Sequence, residues 1–315
     1  MPAPNYIHLR LHSEFSIVDG VARLDDAVAA AAADGMGALA LTDLSNMFGL
    51  VKFYSAARGA GVKPIAGADV WISNDADPDK PYRVLLIAQN NLGYLNLCEL
   101  LSKASLENQV KGQAEIRREW FSLPSTSTIS SSKKSKLSDG LILLSGAQDG
   151  DLGVAILSGQ LDVAKKCAQQ WASLFPERFY IEVQRYGRAN EEHYVRQAAV
   201  LAHELKLPVV ATHPIQFMTP EDFRAHEARV CIADGDLLGN PRRIKKFTSE
   251  QYFKSQEEMQ ALFADMPSAL ANSVEIAKRC NLSLVLGKPR LPDFPTPKGV
   301  SLDEFLGIEA RAGLT

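Results

Sequence analysis

The chain has 315 residues, of which 46% are hydrophobic and 23% charged, and its formal net charge is −3 at pH 7. This length and composition are those of a soluble globular protein with one large core and a smaller appendage. The small negative charge argues against a chain that wraps nucleic acid by itself, because neutralising phosphates requires clustered Lys and Arg. No apolar run approaches the ~18 residues of a membrane span, so we expect no membrane partner and a cytoplasmic location.

Short apolar runs alternate with amphipathic segments along the first two thirds of the chain. Strands are predicted at residues 6–11, 38–42, 64–71, 84–88, 141–144, 179–183 and 209–212. Helices are predicted between them at residues 24–33, 49–60, 94–104, 161–174 and 191–205. Each strand reads as a near-continuous apolar run, as in parallel sheets that are covered on both faces. The pattern predicts an α/β fold with a closed or nearly closed β/α barrel, and a doubly wound open sheet is the alternative.

The alternation breaks at two places. Residues 106–139 include a stretch rich in Ser and Lys at 122–138, which predicts a flexible surface insertion. After residue 212 the pattern becomes helical, at 221–232, 257–263 and 268–280, so a helical extension is predicted over 220–286. The Pro-rich residues 287–299 then predict an extended connector, followed by a last helix at 302–312.

The first predicted strand, in YIHLRLHSEFSIVDG, carries His8, Arg10 and His12 at alternate positions. Residues two apart in a strand point to one face, and the following loop adds Ser16 and Asp19. A His-x-His pair near a carboxylate is typical of metal sites, whereas a guanidinium has no lone pair to donate. The strand therefore has the shape of a metal site without its full ligand set. The alternative is a polar strand end with hydrogen-bonded histidines, and His8 is expected deeper, in the core.

Polar residues also follow other predicted strands. Asp43 ends the second strand, Asp69 ends the third, and His213 follows the seventh. In β/α barrels the carboxyl ends of the strands meet at one mouth, where reactive groups collect. We therefore expect these side chains to converge there with His12 and Asp19. Each also has a structural alternative, as a helix cap, a turn residue or a loop residue.

These strand ends lie within longer stretches that together resemble one family. The stretches are HLRLHSEFSIVDG, ALALTDLSNMFGLVKFYSAARGAGVKPIAGADV, NNLGYLNLCELLSKA, GLILLSG, LPVVATHPIQF, DFRAHEARVCIADG and ALANSVEIAKRCNLSLVLGKPRLPDFPTP. They resemble the PHP (polymerase and histidinol phosphatase) domain, in the version that opens the alpha subunit of bacterial DNA polymerase III. The resemblance implies a distorted seven-stranded β/α barrel over 1–286. It also implies that 287–315 form a connector and the truncated start of a polymerase palm.

Family members with a working site hold a cluster of metal ions that activates water against a phosphoester. By resemblance, His12 and Asp19 match ligand positions, and Asp69 stands where the family usually has Glu. The substituted positions are Arg10, Leu44 and Arg83 at His positions, Ala147 at a Cys or His position, and Pro214 and Gln216 at the closing Asp and His. Three scattered donors do not fix several cations, so we expect an inactive site and no tightly bound cofactor. Arg10 and Arg83 are expected to replace the metal charge with salt bridges.

The resemblance further implies a parent protein that synthesises DNA with Mg²⁺ held by palm carboxylates outside this chain. The implied partners are the proofreading exonuclease subunit, the palm, thumb and fingers of the parent polymerase and, indirectly, DNA. A basic cluster is predicted to contact template DNA or the polymerase thumb, with a solvated loop as the alternative: Arg242, Arg243, Lys245 and Lys246. The rival function is an active PHP phosphoesterase with Zn²⁺ or Mn²⁺, acting as a 3′–5′ exonuclease, a pyrophosphatase or a histidinol phosphatase. A generic barrel enzyme on small phosphates is a third hypothesis.

Overall fold

A computed structural model of the protein describes residues 4–126, 135–289 and 294–314. It divides into two compact units, Met1–Ser283 and Leu284–Thr315. The strands are β1 (Ala38–Leu41), β2 (Lys63–Ile72), β3 (Tyr82–Ala88), β4 (Gln109–Val110), β5 (Gln113–Ile116), β6 (Leu141–Leu144), β7 (Phe179–Val183) and β8 (Val209–Ala211). The helices are α1 (Leu24–Ala33), α2 (Leu50–Gly59), α3 (Asn91–Glu107), α4 (Asp151–Leu157), α5 (Leu161–Leu174), α6 (Glu191–Leu205), α7 (Phe223–Asp234), α8 (Gln256–Leu262), α9 (Pro267–Arg279) and α10 (Leu302–Ala312).

The main sheet of the first unit mixes parallel and antiparallel strands. β1 pairs with β2, β6 with β7, and β7 with β8, all in parallel. β3 runs antiparallel to both of its neighbours, β2 and β6. Near-continuous apolar runs are typical of parallel sheets, and β3 departs from that pattern. The chain turns back between β2 and β3 over residues 73–81 without a helix, and a parallel neighbour would need a longer crossover.

The first predicted strand closes this sheet into a barrel. The backbone carbonyl of His8 accepts a hydrogen bond from Ala40 in β1 at 3.0 Å. On the other side, the His12 amide donates to the carbonyl of Ile215 at 2.9 Å, four residues after β8. The segment is too irregular to count as a regular strand, yet it fills the gap between β1 and the chain after β8. With β1, β2, β3, β6, β7 and β8 it makes the seven-stranded barrel that was predicted.

The segment just before the Ser/Lys-rich stretch at 122–138 folds into regular elements of the first unit. The hairpin of β4 and β5 adds to the end of β2, and a 3₁₀ helix follows at Arg118–Ser122. The Phe121 side chain is fully buried, and its ring lies 5.7 Å from that of Trp171 and 5.2 Å from that of Phe175. These aromatic contacts order a segment that looks polar in composition. Residues 127–134, the centre of the Ser/Lys-rich stretch, lie outside the described residues.

The predicted helical extension packs against the barrel within the first unit. α9 lies beside β8, where the Asn272 side chain donates to the Val209 carbonyl at 2.7 Å. The Ser273 hydroxyl, also on α9, accepts from the Ile7 amide at 3.0 Å. The extension thus holds the start of the first strand. Among the described residues, no helix combines the length and the apolar character that crossing a membrane requires.

The second unit contains α10. Ser301 caps the first turn of this helix, and its hydroxyl accepts a hydrogen bond from the Glu304 amide. The Glu304 carboxylate in turn accepts from the Ser301 amide at 3.0 Å. This capping box explains why the helix begins where the sequence predicted.

Candidate functional site

A cavity of about 500 Å³ opens where the predicted strand ends meet. Seven of the nine residues at the family's ligand positions line it, namely Arg10, His12, Asp19, Asp69, Arg83, Pro214 and Gln216. Two others, Leu44 and Ala147, are absent from the lining. The Leu44 amide instead donates to the Ser16 hydroxyl at 3.0 Å, beside Asp19. Most of the residues at ligand positions of the family are thus gathered at one mouth.

Asp69, which lines this cavity, forms ion pairs with two arginines, Arg10 and Arg83. The Arg10 guanidinium donates to its Oδ2, and the Arg83 Nε donates to its Oδ1 at 3.1 Å while Nη2 reaches Oδ2. Burial alone would raise the pKa of the Asp69 carboxyl, but the two guanidinium groups hold it well below its usual range. The Arg83 guanidinium also stacks over the Trp71 ring at 4.4 Å. Asp69 therefore stays ionised and fully paired.

Arg10 also binds Glu182, a residue of β7 that the sequence analysis did not select. Its Nε and Nη2 donate to Oε1 and Oε2 of Glu182 at 2.6 and 3.0 Å, a bidentate pair. Glu182 is completely buried, and it accepts further hydrogen bonds from the Gly146 amide and the Gln184 side chain. A carboxylate in the otherwise apolar strand FYIEV is the signal that could have revealed it.

His12 bridges two carboxylates of the cavity, Asp19 and Asp69. Its Nδ1 lies 2.9 Å from Oδ2 of Asp19, and its Nε2 lies 3.2 Å from Oδ2 of Asp69. Burial alone would lower the pKa of His12, but Asp19 and Asp69 outweigh it and raise the pKa to about 9. At neutral pH His12 is therefore a cation that donates through both ring nitrogens.

The loop that carries Asp19 is hydrogen-bonded to α7. His226 is buried, and its Nε2 donates to the backbone carbonyl of Asp19 at 2.7 Å. Its ring packs on Phe217 at 5.3 Å and edge-on to Phe247 at 4.7 Å. His226 belongs to the stretch DFRAHEARVCIADG, from which no role could be predicted for it. In the structure it positions Asp19 through the backbone.

Two of the predicted strand-end residues lie away from the cavity. His213 turns into the barrel interior, where its Nε2 lies 3.0 Å from the Tyr252 carbonyl and its ring 6.2 Å from that of His8. His8 is fully buried, as expected, and its Nε2 contacts the Lys254 carbonyl at 2.7 Å. Asp43 accepts from the Ser13 amide at 2.7 Å, and burial raises its pKa to about 6. The expectation that Asp43 and His213 line the mouth is wrong.

The carboxylate and imidazole atoms at the mouth are engaged with other groups of the protein. Both oxygens of Asp69 accept from arginines, and both ring nitrogens of His12 face carboxylates. Asp19 is engaged by His12 and by the Ser16 hydroxyl at 2.7 Å. Within the described ranges, no group of three or more His, Cys, Asp or Glu residues is arranged to hold a metal ion. A metal at this mouth would have to compete with the fixed positive charge of two guanidinium groups.

Two of the four residues in the predicted basic cluster form ion pairs. Arg243 pairs with the largely buried Glu227, and Lys246 pairs with Asp234 at 2.8 Å. Arg242 and Lys245 are exposed, and no ion pair of theirs occurs within the part of the chain that the structure describes. Arg243 and Lys246 are thus engaged in ion pairs, whereas Arg242 and Lys245 keep exposed charges.

Comparison with known proteins gives a consistent match. A family model described as PHP domain matches residues 8–186. The DNA polymerase III subunit alpha of Pseudomonas fluorescens is 47% identical over 318 residues, covering 99% of this chain and 26% of that protein. The protein of the same name from Escherichia coli K12 is 44% identical over 314 residues, covering 100% of this chain and 26% of that protein. The chain thus spans about a quarter of the length of these relatives.

Among solved structures, the fold is similar to an amidohydrolase from Chromobacterium violaceum. The TM-score is 0.45 at 15% sequence identity, and the alignment covers 71% of this chain and 96% of that chain. Similarity at this level says nothing about what the mouth of the barrel binds.

Proposed function

Because the chain belongs to the PHP domain family, we propose that it acts as the PHP domain of a bacterial DNA polymerase III alpha subunit. Identity of 44% and 47% to two such subunits, over essentially the whole chain, supports this role. The parent protein would extend DNA in the cytoplasm, with Mg²⁺ held by palm carboxylates outside these residues. The chain itself would contribute no nucleotidyl transfer.

Within that protein, we propose that the barrel is a scaffold rather than a hydrolase. The main support for this proposal is that Arg10 and Arg83 both form ion pairs with Asp69. Asp69 is the residue at the family's usual Glu position. The two guanidinium groups supply fixed positive charge where the family holds cations, and the ion pairs join the first strand to β2 and β3. We expect these paired charges to favour a single arrangement of the strands. By resemblance, this scaffold would also dock the separate proofreading exonuclease subunit.

The rival is an active, metal-dependent phosphoesterase at the same mouth. It requires metal ions that displace Arg10 from Asp69 and are coordinated by the His12 and Asp19 side chains. It also requires an open coordination position for water. The cavity of about 500 Å³ leaves room for a substrate, so the two functions must be separated by measurement.

Metal content and hydrolysis, measured on one sample, separate the scaffold from the rival. We expect the chain, after chelator treatment and incubation with Mn²⁺ or Zn²⁺, to retain far less than one equivalent of metal in elemental analysis. We also expect no turnover of phosphodiester or pyrophosphate substrates. Two or three retained metal ions with turnover would establish the phosphoesterase instead.

Restoring one ligand should not restore metal binding. In the Arg10→His variant, we expect no stoichiometric Zn²⁺ or Mn²⁺ in isothermal titration, because Arg83 still occupies Asp69 and the other substituted positions are unchanged. A matched Arg83→His variant should behave in the same way. If Arg10→His alone binds a full equivalent of either metal, the account of the mouth as an ion-paired scaffold is wrong.

A further inference from the structure

Three buried polar atoms inside the barrel have no hydrogen-bond partner among the residues that the structure describes. They are the Tyr6 hydroxyl and the Nδ1 atoms of His8 and His213. All three side chains are completely buried, so bulk solvent does not reach these atoms. A buried polar atom without a partner bears the full cost of desolvation, and such atoms in folded proteins are almost always paired. Three of them on neighbouring side chains therefore indicate a shared partner.

The three rings lie next to one another. Tyr6 and His8 meet edge to face with their ring centroids 4.9 Å apart, and the centroids of His8 and His213 are 6.2 Å apart. Burial raises the pKa of the Tyr6 hydroxyl, and the His213 backbone beside this hydroxyl opposes the rise. Tyr6 and His8 belong to the first strand, and His213 follows β8. The cluster thus lies where the first strand closes the barrel.

The hydrogen bonds of the two histidines determine which ring nitrogen carries the proton. The Nε2 atom of His8 lies 2.7 Å from the Lys254 carbonyl, and that of His213 lies 3.0 Å from the Tyr252 carbonyl. A carbonyl only accepts, so both Nε2 atoms carry hydrogen. Burial lowers the pKa of both imidazoles, that of His8 to about 4, so both rings are neutral at pH 7. Each Nδ1 therefore presents a lone pair, and the Tyr6 hydroxyl is a donor.

Both lone pairs point away from the same segment. Tyr252 and Lys254 are two residues apart in a stretch that is hydrogen-bonded to Phe217, and their carbonyls anchor the two rings through Nε2. The two nitrogens of an imidazole point in diverging directions, so an Nε2 that faces this segment turns Nδ1 towards the other side. The unpaired atoms of His8 and His213 therefore face one side of the cluster.

The spacing of the two histidines fits one water molecule between them. From a ring centroid to the water oxygen is about 4 Å, the sum of about 1.2 Å within the ring and a hydrogen bond of about 2.9 Å. Two such distances that meet at roughly the bond angle of water place the centroids about 6–6.5 Å apart, and the observed value is 6.2 Å. Zinc–nitrogen bonds of about 2.0–2.1 Å at a tetrahedral centre would place them only about 5.3 Å apart. The distance therefore favours water over zinc.

We propose that one buried water molecule binds between Tyr6, His8 and His213. It donates one hydrogen to each Nδ1 and accepts the hydroxyl hydrogen of Tyr6. Buried waters typically make about three hydrogen bonds to groups that would otherwise be unpaired, which is the number available here. The water joins the first strand to the chain after β8. The site lies inside the barrel, and the proposal does not depend on whether the mouth binds metal ions.

A crystal structure of the 315-residue chain, at a resolution that shows ordered water, tests the site directly. We expect one peak of water density within hydrogen-bonding distance of all three atoms. In solution, we expect nuclear Overhauser effects between a long-lived water and the Hε1 protons of both histidines. In the Tyr6→Phe variant these effects should fall about twofold or more, because the water loses one of three hydrogen bonds and exchanges faster.

Tyr194 provides a matched control. It is as completely buried as Tyr6, but its hydroxyl donates directly to the Glu182 carbonyl at 2.8 Å. The Tyr194→Phe variant removes the same group from the interior and should leave the water effects on both histidines unchanged.

Several outcomes would overturn the proposal. One is a direct hydrogen bond from the Tyr6 hydroxyl to either Nδ1 with no water density between the rings. Another is anomalous scattering at the site, which would identify a metal ion as the occupant. Water effects that are equally strong in the Tyr6→Phe variant and the unchanged chain would also refute a site with three partners. Metal ions found only at the mouth would refute the scaffold and leave the water site standing.

Discussion

We expect the Arg10→Met variant to lose about 3–5 kcal/mol of unfolding free energy, because removing one partner of a buried ion pair leaves the other uncompensated. Arg10 is 5% exposed and lies between two fully buried carboxylates, Asp69 and Glu182. Methionine has a similar length but offers no donor, so Glu182 keeps only neutral hydrogen-bond donors. Arg83 continues to hold Asp69, and the damage should centre on Glu182. Urea unfolding followed by circular dichroism measures the change.

Two further variants test the reason for this loss. Arg196 is an exposed arginine of α6, and Arg196→Met should change the unfolding free energy by less than about 0.5 kcal/mol. Adding Glu182→Gln to Arg10→Met removes the stranded charge and should recover part of the loss. If Arg10→Met unfolds at the same urea concentration as the unchanged chain, the network does not hold the barrel together.

The second large effect is a loss of stability at alkaline pH that depends on His12. Its pKa is about 9 in the folded chain and about 6.5 when unfolded, so the folded state binds the extra proton between these values. The stabilisation is complete below about pH 6.5 and disappears as the pH rises through 9. A difference of about two and a half pKa units corresponds to roughly 3 kcal/mol. Urea unfolding at pH 6.5 and 9.5 should reveal a loss of this order.

The His12→Gln variant isolates the contribution of this one group. It lacks the titrating imidazole, so its stability should fall less between pH 6.5 and 9.5 than that of the unchanged chain. Other groups that titrate in the same range, such as cysteines, affect both proteins alike and cancel in the difference. Equal slopes in the two proteins would mean that His12 is neutral at pH 7 and that the bridge between Asp19 and Asp69 is weaker than its geometry indicates.

Local pattern was enough to predict most of the barrel and part of its mouth. Apolar runs identify strands because a buried strand must be apolar on both faces, and alternation places Arg10 and His12 on one face. Glu182 could not be linked to Arg10, since 172 residues separate them and no spacing rule joins two separate strands. The antiparallel direction of β3 was missed for a related reason. An apolar run does not encode its direction, which depends on the length of the connection before it.

The course of the first strand also bears on when the domain can fold. Residues 6–12 are hydrogen-bonded on one side to the chain near Ile215, and their surroundings include Lys254 and Ser273 from much later in the sequence. During synthesis these contacts cannot form until Ser273 has been made, 266 residues after Ile7, an interval on the order of ten seconds or more at about 5–20 residues per second. The strand that carries Arg10 and His12 is therefore made long before the segments that secure it. Contacts between such distant residues also slow folding in general, because a long loop must close first.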